Sequence, residues 1–138
     1  MIKLISAICL FVLCQFAYAQ TCPTISDIKR NKLVGWNAFD SDDGKPLSKE
    51  RDKQFKQGVE EFALAEWRKK DAKTGAIHCY YRDKTGSDLE AYLAKDHYMP
   101  NSAHAYWYEV TGFMHCAAGM DKCEFRQDAV QTTRFAKK

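Results

Sequence analysis

Four histidines, His78, His97, His104 and His115, are the side chains of this 138-residue sequence best suited to moving protons near neutral pH. Paired with Glu109, either His78 or His115 would give the acid–base couple of a small secreted hydrolase or nuclease. None of the four stands in a His-Glu-x-x-His pair, and no Ser or Cys occupies a nucleophile motif. Hydrogen-bonded or surface histidines on strands account for them more simply, so no residue is assigned a catalytic role.

Asp40-Ser41-Asp42-Asp43-Gly44 gathers carboxylates as a hard cation would require. The EF-hand pattern fails, because glycine arrives one place early and Arg51 stands where a bidentate Glu is needed. An acidic turn is expected there, with no metal. No cofactor motif is present and none is expected.

Aromatic residues carry the more distinctive chemistry. Tyr106-Trp107-Tyr108, with Tyr80-Tyr81, Tyr92 and Tyr98, combines large apolar area with polar tips, as surfaces that hold proteins, peptides or carbohydrates do. Tyr80, Tyr106 and Tyr108 are the candidate ligand-binding residues. A strand has two faces, so about half of such rings must pack inward, and the competing reading is an aromatic core with a few half-exposed rings. Trp107 is expected inside, Tyr106 and Tyr108 partly exposed.

Of six cysteines, Cys9 and Cys14 lie near the amino terminus, leaving Cys22, Cys79, Cys116 and Cys123. In an exported chain four cysteines read as two disulfides, for which three connectivities exist. The short spacing around Gly119 favours Cys116–Cys123, and Cys22–Cys79 follows by elimination. Zinc is disfavoured because no pair has the close ligand spacing, and bridged cysteines leave no thiolate for catalysis.

Export is read from residues 1–19: Lys3, an uncharged apolar run from Leu4 to Phe16, then Ala17-Tyr18-Ala19 with small residues where signal peptidase needs them. The run is short for a membrane span, and Leu13 before Cys14 argues against a lipid anchor, so no membrane anchor is expected. Residues 20–138 then form a single domain with a nearly balanced charge. Without a basic patch, nothing points to nucleic acid or an anionic membrane as partner.

The elements that must position these groups follow from pattern. Lys32–Phe39 reads as a strand after which Asp40–Lys56 is turn and loop. Phe62–Arg68 and Ala76–Arg82 read as a hairpin. Ser87 and Glu90 have capping-box spacing, and Leu89, Tyr92 and Leu93 share a helical face, which predicts a helix over Asp88–Lys95. Ala105–Cys116 reads as one long strand, with Gly112 as a bulge and with Tyr106, Tyr108, Val110, Met114 and Cys116 on one face. Cys123–Gln127 returns as a final strand. The expected fold is α+β, mainly an antiparallel sheet with one or two short helices and two disulfides.

Cys22-Pro23 with Ile25 and Ile28, Trp36, Ile77-His78-Cys79-Tyr80-Tyr81, Trp107-Tyr108, Cys116 and Cys123-Glu124-Phe125 together resemble a domain family of unknown function. It is found in small exported proteins of proteobacteria, some released by type II secretion. The resemblance implies export and the fold outline, and it brings no catalytic residue. The expected function is a secreted or periplasmic, non-catalytic binding protein acting on a host or envelope component. The alternatives are an inhibitor of a secreted lysozyme or protease, and a small secreted hydrolase or nuclease.

Overall fold

Ile77–Tyr81, dense in β-branched and aromatic residues, lies in a central strand, as strand propensity dictates. In the computed structural model, which describes residues 19–71, 74–101 and 106–128, six strands form one antiparallel sheet. They are β1 (Asn37–Asp40), β2 (Glu61–Lys69), β3 (Gly75–Arg82), β4 (Asp88–Asp96), β6 (Tyr108–Val110) and β7 (Phe113–Cys116), in the spatial order β1-β4-β3-β2-β7-β6. A separate pair joins β5 (Tyr98–Pro100) to β8 (Phe125–Gln127). Two helices, α1 (Ile25–Lys29) and α2 (Lys49–Gly58), and a 3-10 turn at Met120–Lys122 complete the fold.

The expected hairpin Phe62–Arg68/Ala76–Arg82 is present as β2–β3, with Ala65 opposite Cys79 and Glu66 opposite His78. Neither helix lies at Asp88–Lys95, where one was expected. Asp88–Lys95 is strand β4, not a helix: it is hydrogen-bonded to β3 on one side and β1 on the other. Ser87 does not cap anything there. It belongs to the β3–β4 turn, where Asp83 Oδ1 accepts from the backbone N–H groups of Thr85 (2.8 Å) and Ser87 (3.1 Å). Leu89, Ala91 and Leu93 then alternate toward the core, and this period of two outweighs the helical spacing of Leu89, Tyr92 and Leu93. Conversely, α2 arises within the polar stretch expected to be loop. Ser48 caps it by accepting from the Arg51 N–H at 3.2 Å, and Phe55 is its buried anchor.

The long strand expected from Ala105 breaks at Thr111-Gly112. Gly112 has φ 82°, a conformation that suits glycine, and the chain reverses there from β6 into β7. Reversal regroups the faces: Tyr108 now stands opposite His115, and Val110 opposite Phe113. Ala105 and His104 lie outside the described residues, as do residues 1–18 of the expected signal.

One face of the sheet holds the core. Ala65, Ile77, Cys79, Tyr81, Leu93 and Cys116 are buried there, and α1, α2 and the β5–β8 pair send Ile28, Phe55, Tyr98 and Phe125 against them. The Tyr81 hydroxyl donates to the Pro23 carbonyl at 2.7 Å, which satisfies the polar atom of a fully buried ring. Trp107 packs in the same core with its indole N–H donating to the Glu124 carbonyl at 2.8 Å.

Disulfides Cys22–Cys79 and Cys116–Cys123 tie the amino-terminal segment and the segment leading to β8 to this core. Such bridges fit an oxidising, extracytoplasmic compartment. Among the described residues, no helix is long and apolar enough to cross a membrane.

Candidate functional site

Alternation sends every second residue of the central strands away from the core. On that open face Glu66 comes from β2, His78 and Tyr80 from β3, Tyr92 from β4, Phe39 from β1, and His115 and Tyr108 from β7 and β6. The two helices and the β5–β8 pair bury their apolar residues on the other side, so among the described residues no helix or further strand packs on this face.

Glu66 is the charged centre of the face. It is only 7 % exposed. Its Oε1 accepts from Arg68 Nε at 2.6 Å and from the Tyr80 hydroxyl at 3.3 Å, and its Oε2 lies 2.8 Å from His115 Nε2. Burial pushes the carboxyl up, but the hydrogen bonds from Arg68 and His115 outweigh it, so Glu66 lies below its ordinary range and stays ionised.

His78 sits 3.9 Å from Glu66 by its Nδ1, which is buried and has no hydrogen-bond partner. Burial, helped by the nearby Arg68 charge, lowers His78 to about 4, against the weaker pull of Glu66 in the other direction. The imidazole is therefore neutral at physiological pH. Its ring stacks on Tyr92, with centroids 4.4 Å apart and planes 15° apart. Phe39 stacks on Tyr92 from the neighbouring strand at 5.7 Å and 25°. Burial raises both Tyr80 and Tyr92, so both phenols keep their protons.

Beside this row of rings is a concavity of about 720 Å³ whose wall includes Phe39, Tyr92, His78, Arg68, Lys70 and Lys95. That volume is in the range of small-molecule sites.

Of the tyrosines singled out from sequence, Tyr80 and Tyr108 share this face, on either side of the Glu66–His115 pair. Tyr106 is exposed but lies apart from it, with Lys122 Nζ 5.4 Å from its ring centroid. Glu109, the carboxylate considered for His115, stands opposite Met114 and points to the other face. The partner is Glu66 instead. Glu66, Arg68 and Phe39 were missed by motif reading, and Tyr92, counted among the aromatic residues, was expected on a helix, because each is brought in by cross-strand register. The one sequence signal is the spacing of Glu66 and Arg68, which a strand places on a single face.

The acidic run is a turn. Asp40 Oδ1 accepts from the Asp42 N–H at 2.7 Å, Oδ2 pairs with Arg51, and the Gly44 N–H closes onto the Asp40 carbonyl at 2.9 Å. Both carboxylate oxygens of Asp40 are thus engaged within the protein.

No family model, curated protein or solved structure matches the chain. Function has to be argued from the site itself.

Proposed function

We propose that this protein is an exported, non-catalytic binding domain that holds its target on the open face of the sheet, in the periplasm or outside the cell. The observation that carries this reading is the stacked row Phe39–Tyr92–His78, with Tyr80 beside it, on a solvent-facing sheet surface next to a concavity of about 720 Å³. The two disulfides and the leader-like residues 1–19 support export, and the target is a host or envelope component. If that target is a secreted hydrolase, binding would take the form of inhibition, which lysozyme and protease assays detect.

The test uses immobilised oxidised protein offered envelope and host-surface fractions, in parallel with Tyr80→Ala and Tyr108→Ala variants. A specific partner retained by the parent and lost by Tyr80→Ala is expected. Retention by both variants and by Tyr92→Ala, all three still folded by circular dichroism, would remove the open face as the binding surface.

A second reading, acid–base hydrolysis, is favoured by one contact: His115 Nε2 lies 2.8 Å from the buried carboxylate of Glu66 and its side chain is 20 % exposed. A carboxylate behind an imidazole is the arrangement that orients a general base. Cleavage of bis-p-nitrophenyl phosphate that is abolished by both His115→Ala and Glu66→Gln would establish this reading in place of the first.

A further inference from the structure

Tyr92 lies on β4 between β1 and β3, and rings approach it from both neighbours. Phe39 covers it from one strand and His78 from the other, both within 25° of parallel. Rings from both neighbouring strands therefore flank Tyr92, and what Tyr92 itself offers is its edge. Aromatic edges carry the positive part of the ring quadrupole. Tyr92 adds a phenol that keeps its proton and that, among the described residues, has no hydrogen-bond acceptor.

The charges lining the concavity are mostly positive. Arg68, Lys69, Lys70 and Lys95 line it against a single carboxylate, Asp96. Asp96 is 3.5 Å from Lys70 Nζ, and both of these side chains are more than 60 % exposed, so the pair is weak and easily exchanged. Arg68 is matched by the buried Glu66 at 2.6 Å, and Lys95 Nζ donates to Gln20 Oε1 at 3.2 Å, so the positive lining available to a ligand centres on Lys69 and Lys70.

Resting on the binding-domain reading above, we infer that the ligand of this concavity is an anionic saccharide, a sugar carrying carboxylate, sulfate or phosphate. Its oxyanions meet Lys70 and Lys69, and its hydroxyls meet the Tyr92 phenol. A volume of about 720 Å³ accommodates more than an inorganic ion. A nucleotide is the competing ligand: its planar base would have to stack on a ring other than Tyr92, whose two sides are flanked by Phe39 and His78.

Isothermal titration of the oxidised protein with a heparin-derived tetrasaccharide, tetragalacturonate, maltotetraose and AMP tests this. Binding of at least one acidic tetrasaccharide is expected, at least tenfold weaker at 300 mM than at 50 mM salt because exposed charges are screened. Maltotetraose and AMP should bind at least tenfold more weakly than it does. Lys69→Gln/Lys70→Gln should lose at least fivefold and Tyr92→Phe about threefold, with melting temperatures unchanged.

Silence of both acidic sugars at millimolar concentration would overturn the inference, as would affinity unchanged in the double lysine variant. Maltotetraose binding as tightly as the acidic sugars would overturn the charge assignment while leaving a sugar-binding face. AMP binding more tightly than either would overturn the sugar. Loss of a captured partner by Tyr80→Ala would keep the broader reading alive even then.

Discussion

At the residue scale, His78 and Glu66 both make stability fall as the pH is lowered, His78 first and Glu66 at lower pH. His78 titrates near 6.5 when unfolded and about 4 when folded, so between these values the unfolded chain binds a proton that the folded one refuses. Stability is full above pH 6.5 and falls as pH drops toward 4, by on the order of 3 kcal/mol from this group. His78→Phe should keep the stack on Tyr92 and flatten that window in urea unfolding curves, whereas a parent-like slope would show that another group is responsible. Glu66 is likewise lowered when folded, so its contribution is present at neutral pH and is lost as pH falls below its ordinary value of 4.5. Glu66→Gln should cost about 2 kcal/mol at pH 7, the usual scale for hydrogen bonds to a charged group. That deficit should shrink in acid.

At the element scale, the β6–β7 hairpin decides which aromatic residues are structural. Trp107 is 8 % exposed and bonded to the Glu124 carbonyl, whereas Tyr108 is 50 % exposed. Trp107→Ala should therefore destabilise by roughly 3–5 kcal/mol. Tyr108→Ala should change stability by under about 0.5 kcal/mol, as surface substitutions do. Thermal melts of the two variants check this, and equal losses would mean that the hairpin packs differently. Gly75 at the start of β3 is a second element-level constraint. A Cβ there would stand 2.8 Å from the Arg68 carbonyl and collide with the Trp67 indole. Trp67 cannot swing away without losing its 3.0 Å hydrogen bond to the Tyr98 carbonyl. Gly75→Ala should lower the melting temperature clearly, while Gly86→Ala, with nothing near its Cβ, should cost only the strain of its φ of 80°.

For the whole molecule, the two bridges differ in reach. Cys22–Cys79 spans 57 residues of sequence and Cys116–Cys123 spans 7. If bridges act by restricting the unfolded chain, removing the long one should cost about 4 kcal/mol and the short one about 2 kcal/mol. Paired Cys→Ala variants in urea unfolding give the order, and a larger loss from the short bridge would show that local packing near β8 dominates instead. The long bridge also fastens the segment before α1 to β3, so its loss is expected to speed amide exchange in α1 first, at the Ile28 N–H that bonds the Thr24 carbonyl.

Local information was enough for some of this protein. Cysteine spacing was sufficient to pair the disulfides, and the strand propensity of Ile77–Tyr81 with the turn-rich connection before it was sufficient to place the β2–β3 hairpin, because these signals act through propensity and chain length alone. The amphiphilic character of tyrosine against the larger apolar surface of tryptophan likewise sorted Tyr108 from Trp107. Asp88–Asp96 shows where local information stops: its helical and strand spacings compete, and pairing with β1 and β3 on both sides decides for strand. The candidate site lies wholly beyond that point. Glu66, His78, His115, Tyr80 and Tyr92 come from four strands, and no spacing within one strand encodes the register that brings them together. A shift by a single residue would turn each of them to the other face. Register was chosen by the buried face, where Ala65, Cys79, Leu93 and Cys116 had to meet, and the charged and aromatic open face is its mirror consequence.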